Sequence, residues 1–283
     1  MSQDPGSRDP GVSSSGGWPE NEGVGSFEAV DTWTRTGRHL VHALLSHRVP
    51  EGGLLPDASC AVFVPGLGLP QYLRPSVDHL TESGVFCVVL DLPGFLARGR
   101  HGSPPDVDAL GAAVADWVTA NRRPGPLILV GHSTGAQAAL AAAIRLQDSV
   151  SRLALVMAGP TFRPEHRKLL PLTAAVLPAY RRESLGELVQ TPTLLRNAVG
   201  VASVVKSGMR DAPERRLAQL RVPLVLTAGE ADTFAPERWL RSLAACAGTS
   251  ATTVRVLPGS HNNPFTYPGE LGDLVMGGVA EVV

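Results

Sequence analysis

From Cys60 onward the chain repeats one alternation, a short apolar run followed by a longer stretch of helical periodicity. CAVFVPG (60–66), VFCVVLD (85–91), PLILVG (126–131), RLALVMAG (152–159), VPLVLTAG (222–229) and TTVRVLPG (252–259) are rich in β-branched residues, and all but the second end at Gly or Pro. Runs of this kind predict strands buried on both faces. Helical patterns fall between them, at about 70–83, 106–121, 134–147, 236–246 and 268–282. Strand and helix in strict alternation predict an α/β fold, a mostly parallel central sheet wound by right-handed crossovers with helices on both faces. Upstream, FEAVDTWTRT and HLVHALLSHRV flank Thr36-Gly37 and predict an antiparallel hairpin.

Two regions depart from the rhythm. Residues 1–25 are dominated by Gly, Ser, Pro and Asp, too poor in apolar surface to offset the entropy of ordering, and predict a disordered tail. Residues 160–221 contain no strand-like run and lie between two strands; they predict helices inserted as a cap over one edge of the sheet. The expected organisation is therefore a tail (1–25), a core (26–159 and 222–283) and a helical cap (160–221). The cap carries eleven Lys and Arg against five Asp and Glu. Such a balance describes a solvated surface, or places one or two arginines, with Arg163, Arg167 and Arg181 as candidates, against an anionic substrate group.

Composition narrows the class. A length of 283 residues with 43% apolar content is enough for one large core. The net charge of −1 supplies no field to recruit nucleic acid or an anionic membrane. Three cysteines, Cys60, Cys87 and Cys246, form no C-x-x-C pair, so a disulfide framework or a zinc knuckle is not expected and a cytoplasmic setting suits the chain. The N-terminus has no apolar signal region and no run reaches membrane-spanning length.

Candidate chemistry begins at ILVGHSTGAQAALAAA (128–143). A G-x-S-x-G alone is a weak signal, and a glycine-flanked serine can simply cap a helix. Here it follows a fully apolar strand and opens an alanine-rich helix, the strand–turn–helix setting a nucleophile elbow requires. A turn that sharp strains the serine backbone and crowds the positions two residues either side, which Gly131 and Gly135 accommodate. The helix N-terminus favours developing negative charge.

A serine hydroxyl needs a base. Of the eight histidines, His261 stands in LPGSHNNPF, just past the last apolar run; the carboxyl ends of strands are where ligand and catalytic groups gather in such sheets. His132 adjoins the serine, and the tight turn directs its side chain away into a packing or hydrogen-bonding role. His39, His42, His47, His79, His101 and His166 read as structural. The imidazole in turn needs a carboxylate to fix its tautomer. Asp232, in AGEADTFAP, is preferred to Glu230 for its place deeper in the loop. Ser133, Asp232 and His261 each follow a predicted strand, in that order. Donors to an oxyanion are expected from the backbone N–H of Thr134 and from the loop PGLGLP (65–70), where Pro65 has no N–H and Leu67 is the leading candidate, with Gly68 behind it.

Taken together, V-P-G-L-G, D-L-P-G-F, G-H-S-T-G, G-E-A-D-T-F-A-P and G-S-H resemble the α/β-hydrolase superfamily in its cap-bearing branch, over about residues 27–283. The resemblance implies an oxyanion loop, a structural turn, the elbow serine, the acid and the base at those motifs. Two positions depart from the family pattern: Pro65 stands where His is frequent, and Leu96 replaces a usual glycine in the turn after Asp91. A serine at the elbow separates the chain from dehalogenase and epoxide hydrolase branches, which use aspartate. The implied activity is a cofactor-free, metal-free serine hydrolase acting through an acyl-enzyme on Ser133. Its partner would be a small organic ester, thioester, lactone or diketone, with neither nucleic acid nor membrane involved and the oligomeric state left open. The alternatives are a lyase, cyclase or acyltransferase of small-molecule biosynthesis on the same parts, or a ligand-binding receptor that kept the fold.

Overall fold

The computed structural model describes residues 30–36, 39–46, 59–68, 70–92, 106–168 and 198–280. Strands β1 (Val30–Thr36) and β2 (His39–Ser46) form the expected antiparallel hairpin, and β2 joins the strand Phe86–Asp91 antiparallel. The six remaining strands, β3 (Cys60–Val64), β4 (Phe86–Asp91), β5 (Leu127–His132), β6 (Leu153–Ala158), β7 (Leu224–Gly229) and β8 (Thr252–Leu257), run parallel to one another. The sheet order is β1-β2-β4-β3-β5-β6-β7-β8.

The helices are α1 (Arg74–Glu82), α2 (Val107–Asn121), α3 (Thr134–Leu146), α4 (Ala198–Arg210), α5 (Pro213–Leu217), α6 (Glu237–Ala244), α7 (Asn263–Thr266) and α8 (Pro268–Ala280). Strand side chains alternate between two cores, which is why the runs are apolar without interruption. On β3, Cys60, Val62 and Val64 face one core while Ala61 and Phe63 face the other; β5 divides Leu127 and Leu129 from Ile128 and Val130 in the same way. The first core is completed by α2, α3 and α6 through Val114, Trp117, Leu140 and Leu240. The second is completed by α1 and α8 through Val77, Leu80, Leu271 and Val275. Helix α3 is buried almost all round, and its alanines let α2 approach closely on one side and the sheet on the other.

Two expectations change, and one helix comes in addition. TTVRVL is an edge strand with a largely accessible surface, because among the described residues only β7 flanks β8. Residues 70–73 form a 3-10 turn, and α1 begins only at Arg74, where Pro75 suits the first helical turn. The short helix α7, directly after His261, is not marked by any periodicity in the sequence. The predicted tail, the D-L-P-G-F turn from Pro93 onward and residues 169–197 of the predicted cap lie outside the described residues. Among the described residues no helix is long and apolar enough to cross a membrane.

Candidate active site

The carboxyl ends of β5, β7 and β8 share one edge of the sheet. Two strand spacings, about 10 Å, separate β5 from β7, and β8 lies one further, so the loops beyond β7 and β8 must fold back for their side chains to meet Ser133. Backbone hydrogen bonds hold them there: the Ala231 N–H donates to Gly259 O (2.9 Å) and the Glu230 N–H to Leu257 O (2.8 Å).

Ser133 sits at φ 57°, ψ −124°, a region a non-glycine residue occupies at a cost of about 1–3 kcal/mol. The surroundings enforce it. The Ser133 N–H donates to Ala158 O at the end of β6 (2.9 Å). A Cβ at Gly131 would stand 2.6 Å from Ala136 Cα, and one at Gly135 only 2.1 Å from Val64 O. The two glycines flanking the serine are therefore required by backbone contact.

Three side chains then form a chain of hydrogen bonds. Ser133 Oγ lies 3.0 Å from His261 Nε2, and His261 Nδ1 lies 2.8 Å from Asp232 Oδ2. With Nδ1–H donating to the carboxylate, Nε2 presents its lone pair to the serine hydroxyl. Burial acts to raise the Asp232 carboxyl, but the charge and hydrogen bond of His261 and the amides of Ala235 and Phe234 on Oδ1 outweigh it and hold the group below the ordinary carboxylate range. Glu230 is exposed on the same loop, so the fold brings Asp232, and not its neighbour, to the imidazole. Phe234 packs against the His261 ring at 4.9 Å between centroids. Cys60 and Cys87 are buried, and burial pushes the Cys60 thiol up to about 12 and that of Cys87 higher; neither is a competing nucleophile.

His132 points away from the serine and closes a second, buried relay. The Gly66 N–H donates to Tyr72 Oη (2.8 Å), Tyr72 Oη lies 2.7 Å from His132 Nδ1, and His132 Nε2 lies 2.9 Å from His261 O. A carbonyl only accepts, so His132 Nε2 carries the proton, Nδ1 accepts from the tyrosine, and the ring is neutral. Burial, then the neighbouring His261, pushes the His132 pKa down to about 3. Tyr72 escaped the sequence reading: its run, PQYL, shows nothing but a buried aromatic at a helix start.

The loop at residues 65–68 lies against Ser133, so closely that a Cβ at Gly66 would meet Ser133 Cβ at 2.8 Å. Leu67 takes a left-handed conformation, φ 49° and ψ 20°, and its N–H donates to Thr134 Oγ1 at 2.9 Å. The Leu67 proton thus meets the side chain of the residue after Ser133.

The arginines of the predicted cap separate. Arg167 is committed to a bidentate pair with Glu214 (2.7 and 2.6 Å) and to Phe162 O. Arg163 is half-buried, donates to His166 Nε2 (3.2 and 3.0 Å) and reaches Glu165 at 3.7 Å. Arg181 lies outside the described residues.

The model of the alpha/beta hydrolase family matches residues 61–274, and the chain belongs to that family. Among solved structures, it is similar to a thermophilic esterase from Thermogutta terrifontis (17% identity, 90% of this chain and 99% of that one, TM-score 0.66). It is similar also to an enol-lactonase from Burkholderia xenovorans LB400 (16% identity, 88% and 99%, TM-score 0.67). A type II thioesterase of the yersiniabactin biosynthetic pathway shares the fold as well (19% identity, 85% and 98%, TM-score 0.64). At these identities the likeness is one of fold. No curated protein sequence matches the chain.

Proposed function

We propose that the protein is a serine hydrolase that cleaves an ester, thioester, lactone or related carbonyl bond of a small organic substrate. The observation that carries the reading is the unbroken chain from Ser133 Oγ through His261 to Asp232 Oδ2, at 3.0 and 2.8 Å. Ser133 Oγ attacks the carbonyl carbon as its proton passes to His261 Nε2. The tetrahedral intermediate collapses, the C–X bond breaks, and the leaving group takes that proton from His261. Water then attacks the acyl-enzyme, giving its proton to His261, and Ser133 recovers a proton as the acid departs. Asp232 stabilises the imidazolium and fixes its tautomer. The Thr134 N–H, one of the leading amides of α3 with no intrahelical acceptor, is a donor to the oxyanion. That an esterase, an enol-lactonase and a thioesterase share the fold supports an acyl carbonyl as the reacting group.

The cap belongs to the same proposal. Its described parts are residues 160–168 and helices α4 and α5. The Val107 N–H donates to Ser207 Oγ on α4, and Leu217 on α5 is fully buried in the first core, so the segment is rooted in the core at its C-terminal end.

The test is labelling of the purified protein with a fluorophosphonate probe, mapped by mass spectrometry. Modification at Ser133, abolished in His261→Ala, is the expected result, together with a loss of about 10⁴-fold or more in kcat for Ser133→Ala on an activated ester. A folded protein that takes no label, or an unchanged rate without Ser133, would remove the serine from the chemistry.

A further inference from the structure

Resting on that reading, we infer that the hydroxyl of Thr134 is itself an oxyanion donor, standing in for the Leu67 amide whose hydrogen bond it absorbs. An amide N–H has one proton, and that of Leu67 is directed at Thr134 Oγ1 at 2.9 Å. The preceding amide is no substitute, because the Gly66 N–H donates to Tyr72 Oη at 2.8 Å. The first two N–H groups of the loop after β3 are therefore both satisfied by side-chain oxygens before any substrate arrives.

The consequence for Thr134 follows from hydroxyl chemistry. Oγ1 accepts from Leu67, so its own proton must go elsewhere. A threonine inside a helix returns that proton to the carbonyl one turn back. Thr134 is the first residue of α3, and the backbone behind it belongs to the strained elbow, where no helical carbonyl is available. Among the described residues nothing accepts the hydroxyl proton or the Thr134 N–H. Both donors therefore belong to one residue adjacent to the nucleophile, and a single oxyanion on the carbon bonded to Ser133 Oγ can accept from both. Position argues the same way. The loop at Gly66 presses against Ser133, its built Cβ lying 3.3 Å from Ser133 Oγ, and Thr134 Oγ1 fills the end of the Leu67 N–H bond, where an oxyanion served by that amide would have to sit. Accepting from an amide also polarises the hydroxyl and strengthens it as a donor.

The competing arrangement has the same atoms and the opposite sign: the hydroxyl blocks the Leu67 amide and must swing aside before the amide can act. Thr134→Val keeps the shape and removes the hydroxyl, Thr134→Ala removes it with less bulk, and Thr134→Ser keeps it. The rate of fluorophosphonate labelling and kcat on p-nitrophenyl acetate are read for all three, with thermal unfolding as a control. Valine or alanine is expected to lower both rates by about 10²–10³-fold, with KM nearly unchanged and serine within about tenfold of the parent. A Val or Ala variant that folds and reacts as fast as the parent, or faster, overturns the inference and returns the role to Leu67; should valine fail to fold, alanine decides. Absence of labelling in the parent protein defeats the serine-hydrolase reading instead, before any Thr134 variant is compared.

Discussion

The two halves of the candidate site are built by different rules. The Ser133–His261–Asp232 half consists of side chains at the ends of three strands, and each stands where the sequence placed it. The proposed oxyanion half consists of backbone amides in residues 66–68 and at Thr134, and there the leading amide is found bonded to a threonine 67 positions away in the chain. Side-chain identity is written in the sequence at a definite position. An amide is present in every residue except proline, so its role depends on what the fold puts in front of it. The lesson is that a loop motif announces the location of donors without saying which of them is still unspent.

Three perturbations sharpen that contrast, beyond the Ser133, His261 and Thr134 variants already described. The largest effect is expected from Asp232→Asn, which removes the charge facing His261 Nδ1 while leaving the 65–68 loop alone. A loss of about 10⁴-fold in kcat is expected, measured on an activated ester, with circular dichroism unchanged. A loss under tenfold would mean that another carboxylate serves the imidazole.

Next comes Gly135→Ala, which attacks the other half without changing any of the three side chains. Its Cβ would stand 2.1 Å from Val64 O and 2.7 Å from Pro65 O, so the end of β3 and the loop at residues 65–68 must move. Overpacking against backbone is expected to destabilise by about 3 kcal/mol, read from urea unfolding. Stability equal to that of the parent would show that the loop yields easily.

The smallest effect probes the tie between the halves. The Tyr72–His132 relay connects the Gly66 amide to the His261 carbonyl, and His132 is held neutral with its pKa near 3 against an ordinary 6.5. Because the folded value is the lower one, the unfolded chain binds the proton first. The contribution is intact above about pH 6.5 and is lost as pH falls toward about 3, at roughly 1.4 kcal/mol per pH unit. His166, also depressed by burial, adds to the same slope. His132→Asn should therefore reduce the pH dependence of unfolding between pH 6 and 4 by close to one proton. An identical slope in the variant would mean that His132 protonates freely in the folded protein.

The sequence by itself determined the alternation of strand and helix, because a strand sandwiched between two helical layers has no polar face to show. It determined the elbow as well, since a Gly at each side of a strained serine is a local steric demand, and it determined the order Ser133, Asp232, His261, since each lies directly beyond a strand end. Asp232 over Glu230 was legible only as a preference. What chose between them was the folding back of the loop after β8, through bonds such as Ala231 N–H to Gly259 O. The tertiary structure alone decided that Tyr72 joins His132 to the Gly66 amide and that Arg167 is consumed by Glu214. It also decided that Leu67 gives its proton to Thr134. Each of these is a contact between residues distant in the chain, and hydrogen-bond partners of that kind leave no period and no spacing for a sequence to display.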